Sequence, residues 1–145
     1  MALVILGMTA LFGMPHANAL IITPTAWKGL MASPYGGIVE EILLRVFAMG
    51  CLAWLLARFS AGTPRAWAMI AAIVFAAVLF GAGHLPLAAQ LGPLTAAIVS
   101  RVIAYNAIAG LVFGTLYWKR GLEHAMLAHF CADLVLHFAA PVAAI

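Results

Sequence analysis

Val39-Glu40-Glu41-Ile42-Leu43-Leu44-Arg45-Val46-Phe47 decides how this chain is read. It places Glu40, Glu41 and Arg45 inside an apolar run, and two of the four acidic residues of the whole chain stand side by side there. Charges within a lipid-embedded helix are costly and rarely face lipid, so they mark a functional site or a buried ion pair. Glu41 and Arg45 are spaced i, i+4 with the acid nearer the N-terminus, the favourable order for pairing along a helix. Glu40 lies around the helix from that pair and is freer to meet a reactant.

The surroundings support a membrane reading. Of 145 residues, 67% are hydrophobic and 8% charged, and the mean hydropathy is +1.15. A soluble domain is about half apolar and a quarter charged. This chain cannot cover a water-facing surface, and its length suits one domain of five spans of about 20 residues. The fold predicted for 1–145 is an all-α transmembrane helical bundle, multi-pass in the plasma membrane, with the lipid bilayer as a partner. Strands are excluded because the apolar runs are long and do not alternate with polar residues.

The spans predicted are 1–22, 33–59, 66–84, 94–118 and 122–138. The first lacks a basic flank, so it reads as a span rather than a signal peptide. Residues 23–31 read as a loop or interfacial stretch, with Trp27 and Lys28 at headgroup level. Ser33-Pro34 reads as an N-cap followed by proline at the first helical position. Pro86 disfavours helix at Leu85, so 85–93 reads as an uncharged loop. Gly110-x-x-x-Gly114 permits close helix approach. Cys51 and Cys131 read as buried small hydrophobes.

The formal charge of +3 reports topology, not nucleic-acid binding. Arg58, Arg65, Lys119 and Arg120 share one side and Lys28 stands on the other, which puts the first group in the cytoplasm.

Other polar residues converge on the depth of the glutamates. His84 ends the third span on their side. His129, Asp133 and His137 recur every four residues, forming one stripe on one helix face. At about 1.5 Å per residue Asp133 lies roughly 18 Å from the basic turn, past mid-membrane. Glu40 is then a candidate general base, with His84 sharing its proton or holding a water. Taken singly, His84 or His129 reads as an ordinary interhelical hydrogen-bonding group, and Glu41–Arg45 as a structural pair. His16, Glu123 and His124 carry no assigned role, Arg101 and Asn106 read as pairing with neighbours, and Phe80 reads as packing.

Three motifs add to this. EEILLR at 40–45 fits E-E-x-x-x-R, FGAGH at 80–84 fits F-x-x-x-H, and HFCAD at 129–133 fits H-x-x-x-[ND]. Each is short and degenerate, but three in this order in separate apolar segments are specific. Over about 33–138 the chain resembles the CPBP family of intramembrane proteases, also called the CAAX protease or Abi family, which includes the type II prenyl-protein endopeptidases. The resemblance implies an intramembrane endopeptidase acting on a membrane-associated or lipidated protein or peptide. Glu40 with His84 would activate water, His129 and residue 133 would stabilise the oxyanion, and Glu41 and Arg45 would brace the site. Members are often labelled metalloproteases, so zinc on Glu40, His84 and His129 and a metal-free glutamate mechanism both stay open. No H-E-x-x-H occurs to decide between them.

Many members carry Asn where this chain has Asp133. A protonated Asp133 would donate to an oxyanion, whereas an ionised one would accept from His129 and fix its tautomer. The second role is the one expected. Two other functions compete: a non-catalytic relative serving as a membrane scaffold or bacteriocin immunity protein, and a proton- or ion-coupled carrier. The absence of an internal repeat disfavours the carrier.

Overall fold

The computed structural model describes residues 26–59 and 65–139, and no strand occurs among them. Its elements are α1 (Ala26–Pro34), π1 (Tyr35–Glu40), π2 (Ile42–Met49), α2 (Gly50–Ala57), α3 (Ala66–Gly83), α4 (Leu85–Leu91), α5 (Ala96–Arg120), α6 (Leu122–Asp133) and π3 (Leu134–Ala139). The predicted first span, with His16, lies outside the described residues. Among the described residues two helical stretches are long and apolar enough to cross a membrane, Ala66–Leu91 and Ala96–Arg120, with mean hydropathies of 2.2 and 1.7.

From α1 to α2 the chain is one helical rod, since Pro34, Glu41 and Met49 at its joints all keep right-handed helical dihedrals. This corrects two expectations. The rod begins at Ala26, inside the predicted loop, and Ser33 is no N-cap: its hydroxyl donates to the Gly29 carbonyl at 2.9 Å. Pro34 sits within the helix instead of starting it. Proline cannot supply an N–H to the regular ladder, and the wider π1 turn follows directly.

That widening has a consequence for the inward face. Gly37, Glu41, Arg45, Met49, Ala53 and Ala57 are all buried, a strict four-residue repeat. In an α-helix such a repeat drifts by about 40° per step. The i→i+5 turns of π1 and π2 run the other way, so alternating the two geometries keeps one stripe pointed inward. Glu41 and Arg45 thereby face the bundle together.

The rod packs on a tight α3–α5 pair. Small residues let the backbones touch: a Cβ on Gly81 would lie 2.7 Å from the Ile103 carbonyl oxygen, and one on Gly110 would lie 2.8 Å from the Ala77 Cα. One on Gly114 would meet the Ile73 side chain at 3.1 Å. The spacing of Gly110 and Gly114 predicted such an approach, and the structure makes it. Met49, Ala53, Ala72, Ile73 and Ala76 form one core cluster, flanked by Tyr117 and Trp118 towards the basic end. Phe80, Ala109, Phe113, Ala125 and Ala132 form a second, under the acidic residues. The outer faces carry Leu43, Phe47, Trp54, Ile70, Val74 and Leu127, all exposed, as lipid contact requires.

The turns and surface differ in places from expectation. Thr95 caps α5 by accepting from the Ile98 N–H at 3.3 Å. Gly121 turns the chain between α5 and α6 at φ 102°, a conformation that side chains other than glycine resist. Residues 85–91, expected as loop, form α4. Pro86 falls in its first turn, where a missing N–H costs nothing. Cys51 and Cys131 are exposed free thiols on the outer face, not buried residues.

Candidate active site

The site is built on the Glu41–Arg45 pair. Arg45 Nε donates to Glu41 Oε2 at 2.8 Å and Nη2 to Oε1 at 3.2 Å, with both side chains fully buried. Charge-assisted, two-pronged contacts of this kind fix both partners in orientation. Among the described residues Arg45 Nη1 has no hydrogen-bond partner, and a Cβ built on Gly114 would lie 3.5 Å from it.

Across the interface, His129 of α6 brings Nδ1 to 2.9 Å from Glu41 Oε1. An ionised carboxylate can only accept, so Nδ1 carries the proton. The ring lies stacked on Phe113, centroids 4.6 Å apart and planes 13° from parallel, with the edge of Phe80 at 5.3 Å. Clamped on three sides, His129 leaves Nε2 as the ring nitrogen with no hydrogen bond among the described residues. That atom faces Glu40 Oε2 at 3.9 Å and Asp133 Oδ1 at 3.7 Å. These separations exceed a hydrogen bond but suit groups that share a water or a substrate oxygen between them. Glu40 keeps 29% of its side chain exposed and Asp133 17%, so this side of the site is open while the Glu41 side is sealed.

Asp133 therefore does not hold the His129 tautomer, contrary to expectation. Glu41 does so, because the Phe113 stack turns Nδ1 towards the glutamate helix. Asp133 instead shares the open side with Nε2, and its Oδ1 is also 3.8 Å from Nε2 of the exposed His137.

His84 stands at the junction of α3 and α4. Its Nδ1 donates to the Phe80 carbonyl at 2.8 Å, which leaves Nε2 as an acceptor. Among the described residues it makes no ion pair with Glu40. Its link to the other groups runs through Phe80, whose ring packs edge-on against His84 at 4.8 Å and against His129 on its other side. Asn106, on α5, donates to its own helix at Val102.

A zinc ion on Glu40, His84 and His129 does not fit this arrangement. Among the described residues no three His, Cys, Asp or Glu side chains are gathered to hold a metal. Glu41 is shared with Arg45 and His84 stands apart beside Phe80, so that only Nε2 of His129 is left to face Glu40.

Sequence reasoning missed Phe113, Gly36 and Gly37, whereas Phe80, read as packing, does pack in the core between His84 and His129. Gly36 and Gly37 are buried in π1, where added methyl groups would strike Asp133 and Phe130 respectively. A Gly-Gly pair one turn before Glu40 within a helical run was the available signal, since glycine is unfavourable there unless something approaches closely.

A family model for Rce1-like type II CAAX prenyl endopeptidases matches residues 22–135. No match was found among curated proteins or among solved structures. The match spans all three motifs and every side chain of the cluster from Glu40 to Asp133. The chain belongs to the Rce1-like family of CAAX-type membrane proteases.

Proposed function

We propose that this protein is an intramembrane endopeptidase that hydrolyses a peptide bond of a prenylated or otherwise membrane-associated protein, with Glu40 as general base. The observation that carries the reading is the pairing of an accessible Glu40 with Nε2 of His129, whose other nitrogen is tied to a sealed Glu41–Arg45 pair. Glu40 takes a proton from water as the hydroxide oxygen bonds to the scissile carbonyl carbon. Protonated His129 donates from Nε2 to the resulting oxyanion, and Asp133 borders the same space. Collapse of the tetrahedral species breaks the C–N bond, and Glu40 returns its proton to the leaving amine. His84 positions water or substrate from the far side of Phe80. The bundle crosses the plasma membrane five times, and no metal takes part.

Family membership and the closeness of Glu40, His129 and Asp133 support this reading. The test is mass spectrometry of new protein N-termini in membranes carrying wild type, Glu40→Ala or His84→Ala, with a chelator-treated arm. Cleavage products that require both residues and survive chelation are expected. Identical termini in all strains would overturn the proposal in favour of a non-catalytic scaffold.

A further inference from the structure

Gly36 lies one turn before Glu40 on the same rod and is buried against α6. A Cβ built there would collide with Asp133 Oδ2 and lie 3.1 Å from His129 Nε2. These are the two groups that border the open side of the site. The neighbouring Gly37 differs in kind, since its Cβ would meet the Phe130 Cβ at 2.9 Å and the Met126 carbonyl at 3.1 Å, away from Glu40. Both glycines let α6 approach π1, but they stand over different parts of it.

From this contrast we infer that Gly36 is a positioning residue of the reaction, its missing side chain setting where the Asp133 carboxylate stands between Glu40 and His129 Nε2. The inference rests on the hydrolytic reading above. A methyl group at position 36 need not move the backbone. Asp133 has a short side chain that ends in a rotatable carboxylate, so the cheapest relief is rotation of that carboxylate away from Nε2. The Glu41–His129 bond, on the other nitrogen, is untouched by this. The altered protein would keep its bundle and its buried pair and lose the geometry of the open side.

The experiment compares Gly36→Ala, Gly37→Ala, Asp133→Ala, Gly36→Ala/Asp133→Ala and Gly37→Ala/Asp133→Ala in lipid-reconstituted protein, reading both turnover and apparent Tm. A misplacement of about 1 Å at a reacting group costs on the order of 100-fold. Gly36→Ala is expected to lower kcat by about that factor with KM nearly unchanged. Added to Asp133→Ala, where the collision with the carboxylate is gone and only the milder 3.1 Å approach to His129 Nε2 is left, it should change kcat by less than about 3-fold, because contacting residues are not additive. Gly37→Ala, whose Cβ would meet Phe130 and the Met126 carbonyl instead of Asp133, should lower Tm equally with and without Asp133.

The Tm readout needs no activity. Gly36→Ala should destabilise only while Asp133 is present, by about 3–5 °C, and should be neutral or stabilising without it, as glycine-to-alanine changes in helices are. Full activity in Gly36→Ala, or equal effects in both backgrounds, overturns the inference. Retained turnover in a parallel Glu40→Gln sample would instead overturn the general-base reading, with the Tm cycle still deciding the role of Gly36.

Discussion

Replacing Arg45 by Met separates what the buried ion pair does for folding from what it does for the site. The substitution removes the contacts at 2.8 and 3.2 Å and leaves Glu41 sealed with His129 as its remaining partner. Breaking one side of a buried pair costs about 3–5 kcal/mol. Loss of Nη1, a buried donor with no partner among the described residues, returns about 1–2 kcal/mol. The net loss is about 1–4 kcal/mol, or a fall of about 3–15 °C in apparent Tm for a chain of this size. Tryptophan fluorescence during heating in detergent reads this directly. The double variant Glu41→Leu/Arg45→Met removes both charges and should recover most of the stability, since a buried pair is often no better than its apolar replacement. It should not recover turnover, because Nδ1 of His129 then lacks the acceptor that orients the ring. An unchanged Tm in Arg45→Met, or full turnover in the double variant, would refute this account of the pair.

Two further outcomes follow from the geometry. Asp133→Asn should keep or raise turnover, because the carboxylate does not hold the His129 tautomer and an amide there can donate to an oxyanion. Asp133→Ala should lose about 100-fold in peptide release, the scale of a misplaced group at the reacting centre, because the side chain that stands beside His129 Nε2 is then gone. Gly110→Leu should prevent folding of the α3–α5 pair, since even a methyl group would lie 2.8 Å from the Ala77 backbone. Size-exclusion chromatography of the solubilised protein should then show aggregate in place of a single species.

How much of this was legible in the sequence follows from the kind of contact involved. The Glu41–Arg45 pair was readable because i, i+4 neighbours on a helix meet whatever the rest of the chain does. The His129–Asp133–His137 stripe was readable for the same reason. The bond from His129 to Glu41 was not, because it joins residues 88 apart in sequence and depends on how α6 rolls against the rod. Gly36 and Gly37 leave room for α6 and Phe113 stacks on the His129 ring, contributions of shape rather than charge. Ser33-Pro34 misled because a proline that normally starts a helix is absorbed here by a switch to π geometry. Pro86 misled in the opposite sense, since it starts α4 where a break was expected. Outward and inward faces were hard to separate because lipid accepts the same Leu, Ala and Val as the core. Cys51 and Cys131 were misplaced on that account.

The account rests on Glu40 activating water, and the most direct test is the rate at which purified, lipid-reconstituted protein releases peptide from a prenylated substrate. Glu40→Gln preserves size and shape at a partly exposed position, so its Tm should match wild type. General-base catalysis is worth about 100- to 10,000-fold, and a loss of turnover in that range is the predicted result. A Glu40→Gln protein that cleaves at the wild-type rate would contradict the account.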